Sequence, residues 1–156
     1  MTLAGYGEQG NNPATKQSFV ITEDLSHTMD LEKLAEQWHH CPPTFQTKMC
    51  LIKKLAEISK KMHENGMNHR DFYLVHFLID KQFAEHNTVT EQTKLYLIDL
   101  HRALIHPNKK VPERWLVKDL GSLYFSAMDI RLTQRDLFRF MMAYSGKSLR
   151  ELSSEM

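Results

Sequence analysis

Two short segments of the chain, His69-Arg70-Asp71 and Leu97-Ile98-Asp99, hold residues whose types and spacing suit a reaction. Transfer of a phosphoryl group needs one carboxylate near the acceptor hydroxyl, to orient it and accept its proton. It needs a second carboxylate, at the end of a neighbouring strand, to hold Mg²⁺ against the phosphates of a nucleotide. Asp71 suits the first role and Asp99 the second. Strands over 76–80 and 94–98 would form a hairpin that brings both carboxylates to one mouth. The competing reading is a chance tripeptide and an aspartate that merely caps a strand. The capped helix before His69 and the strand ending on Asp99 weigh against it.

The elements that must position these residues follow from periodicity. Residues 1–15, with three of the six glycines and Pro13, read as loop. Ser18 to Thr22 is apolar and β-branched and suits a strand. Leu31, Leu34, Ala35 and Trp38 share one helical face. Pro42-Pro43 stops that helix and opens the next, with proline in its first turn. A long helix carries Met49, Leu51, Ile52, Leu55, Ala56, Ile58 and Met62 on a wide stripe, and Asn65-Gly66 ends it with a left-handed cap. Lys81 to Thr93 reads as a polar loop. Trp115, Leu116, Leu120, Leu123 and Tyr124 fit another helix. Thr133 caps a last one, with Leu137, Phe140, Met141 and Tyr144 facing the core and Ser145-Gly146 closing it.

With 156 residues, the chain has the length of one ordinary domain. Its 42% hydrophobic and 25% charged residues exclude a disordered or fibrous chain. No apolar run is long enough to span a membrane, and no secretory signal is visible at the N-terminus. Cys41 and Cys50 form no CxxC pair and read as reduced cytosolic thiols. The net charge of +1 hides an asymmetry: residues 1–43 carry two Lys/Arg against six Asp/Glu, so the rest is basic. Such a body favours phosphates or an anionic membrane surface, but is too dispersed to argue for nucleic acid.

A His-Arg-Asp tripeptide between a long helix and a strand is the catalytic-loop signature of protein-kinase-like phosphotransferases. The run from Met62 to Leu78, the segment Leu97 to Ala103, Pro112-Glu113-Arg114-Trp115, Lys118 to Ser126 and Leu132 to Asp136 together strongly resemble the lipopolysaccharide core heptose kinases of Gram-negative bacteria. Asn12-Pro13-Ala14 and Ser18 to Leu25 extend the resemblance over nearly the whole chain. It implies an α+β, mostly α fold: a protein-kinase-like C-terminal lobe with short strands and a catalytic-loop hairpin, its N-terminal lobe largely absent. Residues 1–25 would be the end of that first lobe and the hinge, with Glu23 and Leu25 against adenine; residues 26–156 would be the C-terminal lobe. The implied activity is ATP- and Mg²⁺-dependent phosphorylation of an inner-core heptose. Asp71 would be the catalytic base, Arg70 would hold the loop or meet substrate phosphate, and Asp99 would take the metal. The implied acceptor is an anionic glycolipid at the cytoplasmic face of the inner membrane, with peripheral contact to that surface. Alternatives are a non-catalytic kinase remnant acting as a binding module, or a kinase for another small acceptor such as the core keto-sugar.

Two departures from the general kinase pattern stand out. Where an asparagine usually follows the HRD aspartate by five residues, the chain has His76, either a second metal site or a histidine packed at a strand start. A neutral imidazole is a poor ligand for Mg²⁺, so one metal or a changed role for His76 is expected. Gly5-Tyr6-Gly7-Glu8-Gln9-Gly10 spells GxGxxG, but too few residues precede it for a glycine hairpin and no Val-Ala-x-Lys strand follows. Ser145-Gly146-Lys147-Ser148 fails as a P-loop because Met141 stands where its first glycine belongs. The nine histidines lack zinc-site spacing, and the nine methionines read as core filler. Lys53-Lys54, Lys60-Lys61 and Lys109-Lys110 read as solvated faces. By the same resemblance, Asp119 would be the buried aspartate that braces the catalytic loop.

Overall fold

The computed structural model describes residues 3–154 except 13, 87 and 131. Met1, Thr2 and Pro13, read as loop, therefore lie outside the described residues, as does Asn87. Strands Leu3–Gln9 (β1) and Gln17–Thr22 (β2) pair antiparallel, with Tyr6 opposite Val20 and Gly7 opposite Phe19. The expected loop over 1–15 is thus corrected. Tyr6, Phe19, Val20 and Ile21 are all exposed. A hairpin with no buried face shows no apolar alternation by which a sequence reveals a strand. Gly5 and Gly7 sit inside β1, and Gly10, at φ +104, starts the connection to β2.

After the connection 23–27, Thr28–Asp30 (β3) leads into helix Leu31–Gln37 (α1), whose first turn is capped by the Asp30 carboxylate accepting from the Lys33 N–H. Helix Phe45–Glu64 (α2) is capped by Thr44, so Pro42 and Pro43 precede the cap rather than occupy the first turn. The preceding helix has already ended at Gln37. Strand Met67–Asn68 (β4), the catalytic loop and strand Phe77–Asp80 (β5) follow. His76 belongs to a 3-10 turn, Leu74–His76, instead of the strand expected over 76–80. Asp80 caps a short helix, Lys81–Glu85 (α3), where a loop was expected; five residues are too few to display helical periodicity. Leu95–Leu97 (β6) and Leu104–Ile105 (β7) precede helices Glu113–Ser126 (α4), Gln134–Ser145 (α5) and Leu149–Ser154 (α6).

The expected pairing of the two strands holds. β5 and β6 are antiparallel, Phe77 opposite Leu97, and β3 adds a third strand on the other side of β5. β4 pairs with β7, Asn68 opposite Leu104. These two small sheets fix the chain on both sides of the catalytic loop. Beneath it lies one core: Leu31 and Leu34 of α1, Cys50, Leu51 and Met62 of α2, Phe72, Phe77, Ile79 and Leu123. Phe72 is fully buried directly after Asp71 and anchors the loop. Burying such a side chain stabilises by about 1.5–3 kcal/mol. α5 packs along α2, capped by a reciprocal Thr133/Asp136 box and closed by Gly146 at φ +77. Its apolar face is only partly covered, because a cavity of about 350 Å³ lies between α1, α2, α4 and α5. Among the described residues no helix is long and apolar enough to cross a membrane.

Candidate active site

The catalytic loop hangs from one buried carboxylate. Asp119 of α4 is wholly buried and accepts from the backbone N–H of His69 (2.7 Å) and of Arg70 (2.9 Å). Its Oδ2 also meets Nε2 of buried His63 at 3.3 Å. The His63 Nδ1 lies 2.9 Å from the Tyr144 hydroxyl. One proton arrangement satisfies this chain with a neutral ring: Tyr144 donates to Nδ1, and Nε2–H donates to Asp119. Burial alone would raise the Asp119 pKa, but the hydrogen bonds from His63, His69 and Arg70 outweigh it and hold the carboxyl below its usual range. The loop is tied once more where the Leu74 N–H donates to Ser126 Oγ (3.0 Å).

So held, Arg70 adopts φ +76 and turns the chain sharply before Asp71. Asp99, at φ +61, makes a second left-handed turn where β6 ends. A non-glycine residue held in that region costs about 1–3 kcal/mol, a strain that clusters at functional sites. His76 joins the two turns. Its Nδ1 donates to the Asp71 backbone carbonyl (2.7 Å), and its Nε2 faces Asp99 Oδ2 at 3.3 Å. The ring also stacks on His69, centroids 5.6 Å apart. Asp71 itself is half-buried, with Arg102 donating to its Oδ1 at 2.9 Å. Asp71, His76 and Asp99 therefore share one network, with Arg70 beside it. Glu23 and Leu25 do not join them. They lie on the connection 23–27, which is pinned to α3 by the Lys81 N–H on the His27 carbonyl (3.1 Å).

The electrostatics favour a negative Asp99 and a neutral His69. The His101 imidazole, hydrogen-bonded to Asp99 Oδ1, lowers the Asp99 pKa, with His76 and His69 adding to the effect. Burial lowers the His69 pKa despite its hydrogen bond to the Ile98 carbonyl (3.0 Å). For a bound cation the donor of suitable chemistry is the exposed Asp99 carboxylate alone, since the imidazoles of His76 and His101 beside it are poor ligands for Mg²⁺. A single carboxylate fits Mg²⁺, which takes one or two protein carboxylates and completes its shell with phosphate and water oxygens. Among the described residues no three His, Cys, Asp or Glu side chains cluster as a metal site by themselves.

Arg102, His63, Ser126 and Trp115 are the residues that sequence reasoning left without a role. Arg102, His63 and the two α4 residues meet the loop from three separate elements, so no local spacing announces them. All four lie in segments that carry the family resemblance, which gave none of them a role. Asp119 was foreseen, and it occupies the bracing position expected.

Comparisons with known proteins show the family of the chain. The chain is 48% identical over 150 residues to the lipopolysaccharide core heptose(I) kinase WaaP of Escherichia coli (strain K12), covering 96% of this chain and 55% of that protein. It is 43% identical over 154 residues to the protein of the same description from Pseudomonas aeruginosa, covering 97% of this chain and 55% of the relative. The chain thus spans about half the length of the curated relatives it matches. A solved structure described as WaaP in complex with acyl carrier protein superposes with a TM-score of 0.85 at 42% identity, over 97% of this chain and 61% of that one. The model of the lipopolysaccharide kinase (Kdo/WaaP) family matches residues 1–144, and the chain belongs to that family.

Proposed function

We propose that the protein carrying this chain phosphorylates a heptose of the lipopolysaccharide inner core with ATP. The observation that carries this reading is the network in which His76 links the Asp71 backbone to the Asp99 carboxylate. Asp71 would orient the acceptor hydroxyl and take up its proton at a carboxylate oxygen. Arg102 must then leave Asp71 or share it with the acceptor. Asp99 would hold Mg²⁺, which supplies charge neutralisation to the nucleotide phosphates. His76 takes the changed role, fixing Asp71 relative to Asp99. Arg70 shapes the loop through its left-handed backbone. Residues 1–25 would close a first lobe, and the connection with Glu23 and Leu25 would be the hinge against adenine. Residues 26–156 would form the C-terminal lobe. The acceptor places the reaction at the cytoplasmic face of the inner membrane, with the protein meeting that surface peripherally.

Support comes from the identity to two heptose(I) kinases over nearly all of this chain. The test is transfer of labelled phosphate from ATP to purified core oligosaccharide by the whole protein. Asp71→Asn is expected to lower turnover by about two to four orders of magnitude while the protein still melts cooperatively, given the 10²–10⁴-fold worth of acid–base catalysis. Turnover within tenfold of the unaltered protein would remove Asp71 from the mechanism.

A second partner is favoured by a specific feature. The solved relative binds acyl carrier protein. The cavity in this chain is lined almost wholly by apolar side chains, among them Leu34, Trp38, Leu55, Leu123, Leu137 and Phe140. We propose that an acyl carrier protein docks here as well, with its acyl chain in that cavity.

A further inference from the structure

Three cations surround Trp115 in the first turn of α4. Arg70 Cζ lies 4.7 Å from the ring centroid, Lys118 Nζ 5.3 Å and Arg114 Cζ 5.4 Å. Each is a cation–π contact of ordinary geometry. Together they crowd three like charges around one indole. Among the described residues none of the three is paired with a carboxylate, and Glu113 beside them makes no ion pair with any. The cations that serve structure elsewhere are paired: Arg102 with Asp71, Lys48 and Arg139 with Asp136. Like charges gathered without a counter-ion repel, and a bound anion removes that penalty. The guanidinium of Arg70 offers a planar fork and Lys118 a point charge, a combination suited to carboxylate or phosphate oxygens.

The cluster's position says which molecule would bring the anion. Arg70 is the residue before Asp71, and its φ of +76 is imposed by the Asp119 carboxylate on its N–H. An anion on this cluster therefore sits on the side of the base. The nucleotide phosphates belong with Asp99, whose carboxylate touches His76 and His101 and none of these cations.

We infer that Arg70, Arg114 and Lys118, gathered on Trp115, form an anion subsite for the acceptor. It would grip a carboxylate or phosphate monoester on the sugar unit neighbouring the accepting hydroxyl. This inference rests on the kinase reading. Binding energy from that remote group would position the hydroxyl at Asp71.

The experiment uses the whole protein with Arg114→Gln and Lys118→Gln combined. Both residues are exposed on a helix, and glutamine keeps the helix propensity of either. Steady-state transfer is measured with three acceptors: native core oligosaccharide, its carboxyl-reduced form and its dephosphorylated form. The double variant is expected to raise the KM for the native acceptor at least tenfold, while the KM for ATP moves less than twofold. That penalty should vanish with the acceptor lacking the recognised anion, which identifies carboxylate or phosphate as the source. An acceptor KM unchanged within twofold, or a parallel rise in the KM for ATP, overturns the subsite. If the unaltered protein shows no ATP-dependent transfer, the kinase reading itself fails. Equilibrium binding of native oligosaccharide then decides the subsite: tenfold weaker binding by the double variant upholds it, and equal affinity overturns it.

Discussion

Replacing Asp119 by alanine would leave three donors without an acceptor: the buried N–H of His69, the half-buried N–H of Arg70 and the buried Nε2–H of His63. Each such orphan costs about 1–3 kcal/mol. The loss therefore reaches several kcal/mol, a large part of a domain's usual stability. Asp119→Ala is expected to lower the urea midpoint sharply, and to abolish activity in any fraction that stays folded. Tyr144→Phe removes only the outermost link of the same chain and should cost about 1 kcal/mol. Equal midpoints for Asp119→Ala and the unaltered protein would show that the loop is held by something else. Asp71, Asp99 and His76 were legible because each sits in a local pattern. The position of Asp119 followed from the resemblance alone, since one aspartate in an apolar helix looks the same whether it faces a loop or solvent. Arg102 on Asp71 joins residues from two elements, and nothing in their spacing reveals the pair.

α2, α4 and α5 could be read from the sequence because each combines an apolar stripe with start or stop signals that lie within its own residues. β1 was hidden by its composition, with Gly5 and Gly7 inside it and no buried face to give it a period, whereas the equally exposed β2 was legible from its β-branched run. α5 owes its start to Asp136, which is buried and accepts from Thr133, from Lys48 (2.8 Å) and from Arg139 (3.0 Å). Burial would raise its pKa, but the Lys48 ammonium and the Thr133 donors outweigh that and bring it from 3.8 to about 2. A carboxyl depressed by folding gives stability that is complete above its unfolded value. That stability is lost as pH falls through the folded value. The ionised Asp136, through Lys48 of α2 and Thr133 together, should therefore contribute roughly 2 kcal/mol near neutrality, declining between about pH 4 and pH 2. Lys48→Met should lower the stability at pH 7 and flatten its dependence on pH in that window. A variant whose stability falls as steeply as the unaltered protein's between those values would place the depression of Asp136 elsewhere.

Two of the apolar features left uncovered among the described residues are the β1–β2 hairpin and the cavity among the helices. The β1–β2 hairpin exposes Phe19, Val20 and Ile21 in succession, so both of its faces are open. The cavity between α1, α2, α4 and α5 is walled by apolar side chains of those helices and opens to solvent, and a native core packed to ordinary density would not leave it empty. If an acyl chain delivered by an acyl carrier protein fills it, the occupant is part of the core, and ligand binding adds directly to stability. Intact-mass measurement of the whole protein, purified from cells without denaturant, should then find an acylated carrier bound. Ala35, buried and on the cavity wall, offers the contrast. Ala35→Leu should reduce the bound carrier while making the carrier-free protein more stable, because the added methylenes replace contacts that the acyl chain would otherwise supply. Full retention of the carrier by a folded Ala35→Leu protein would move the acyl chain out of this cavity. Absence of any carrier from the unaltered protein would leave the helices, and not a guest, to hold the cavity open.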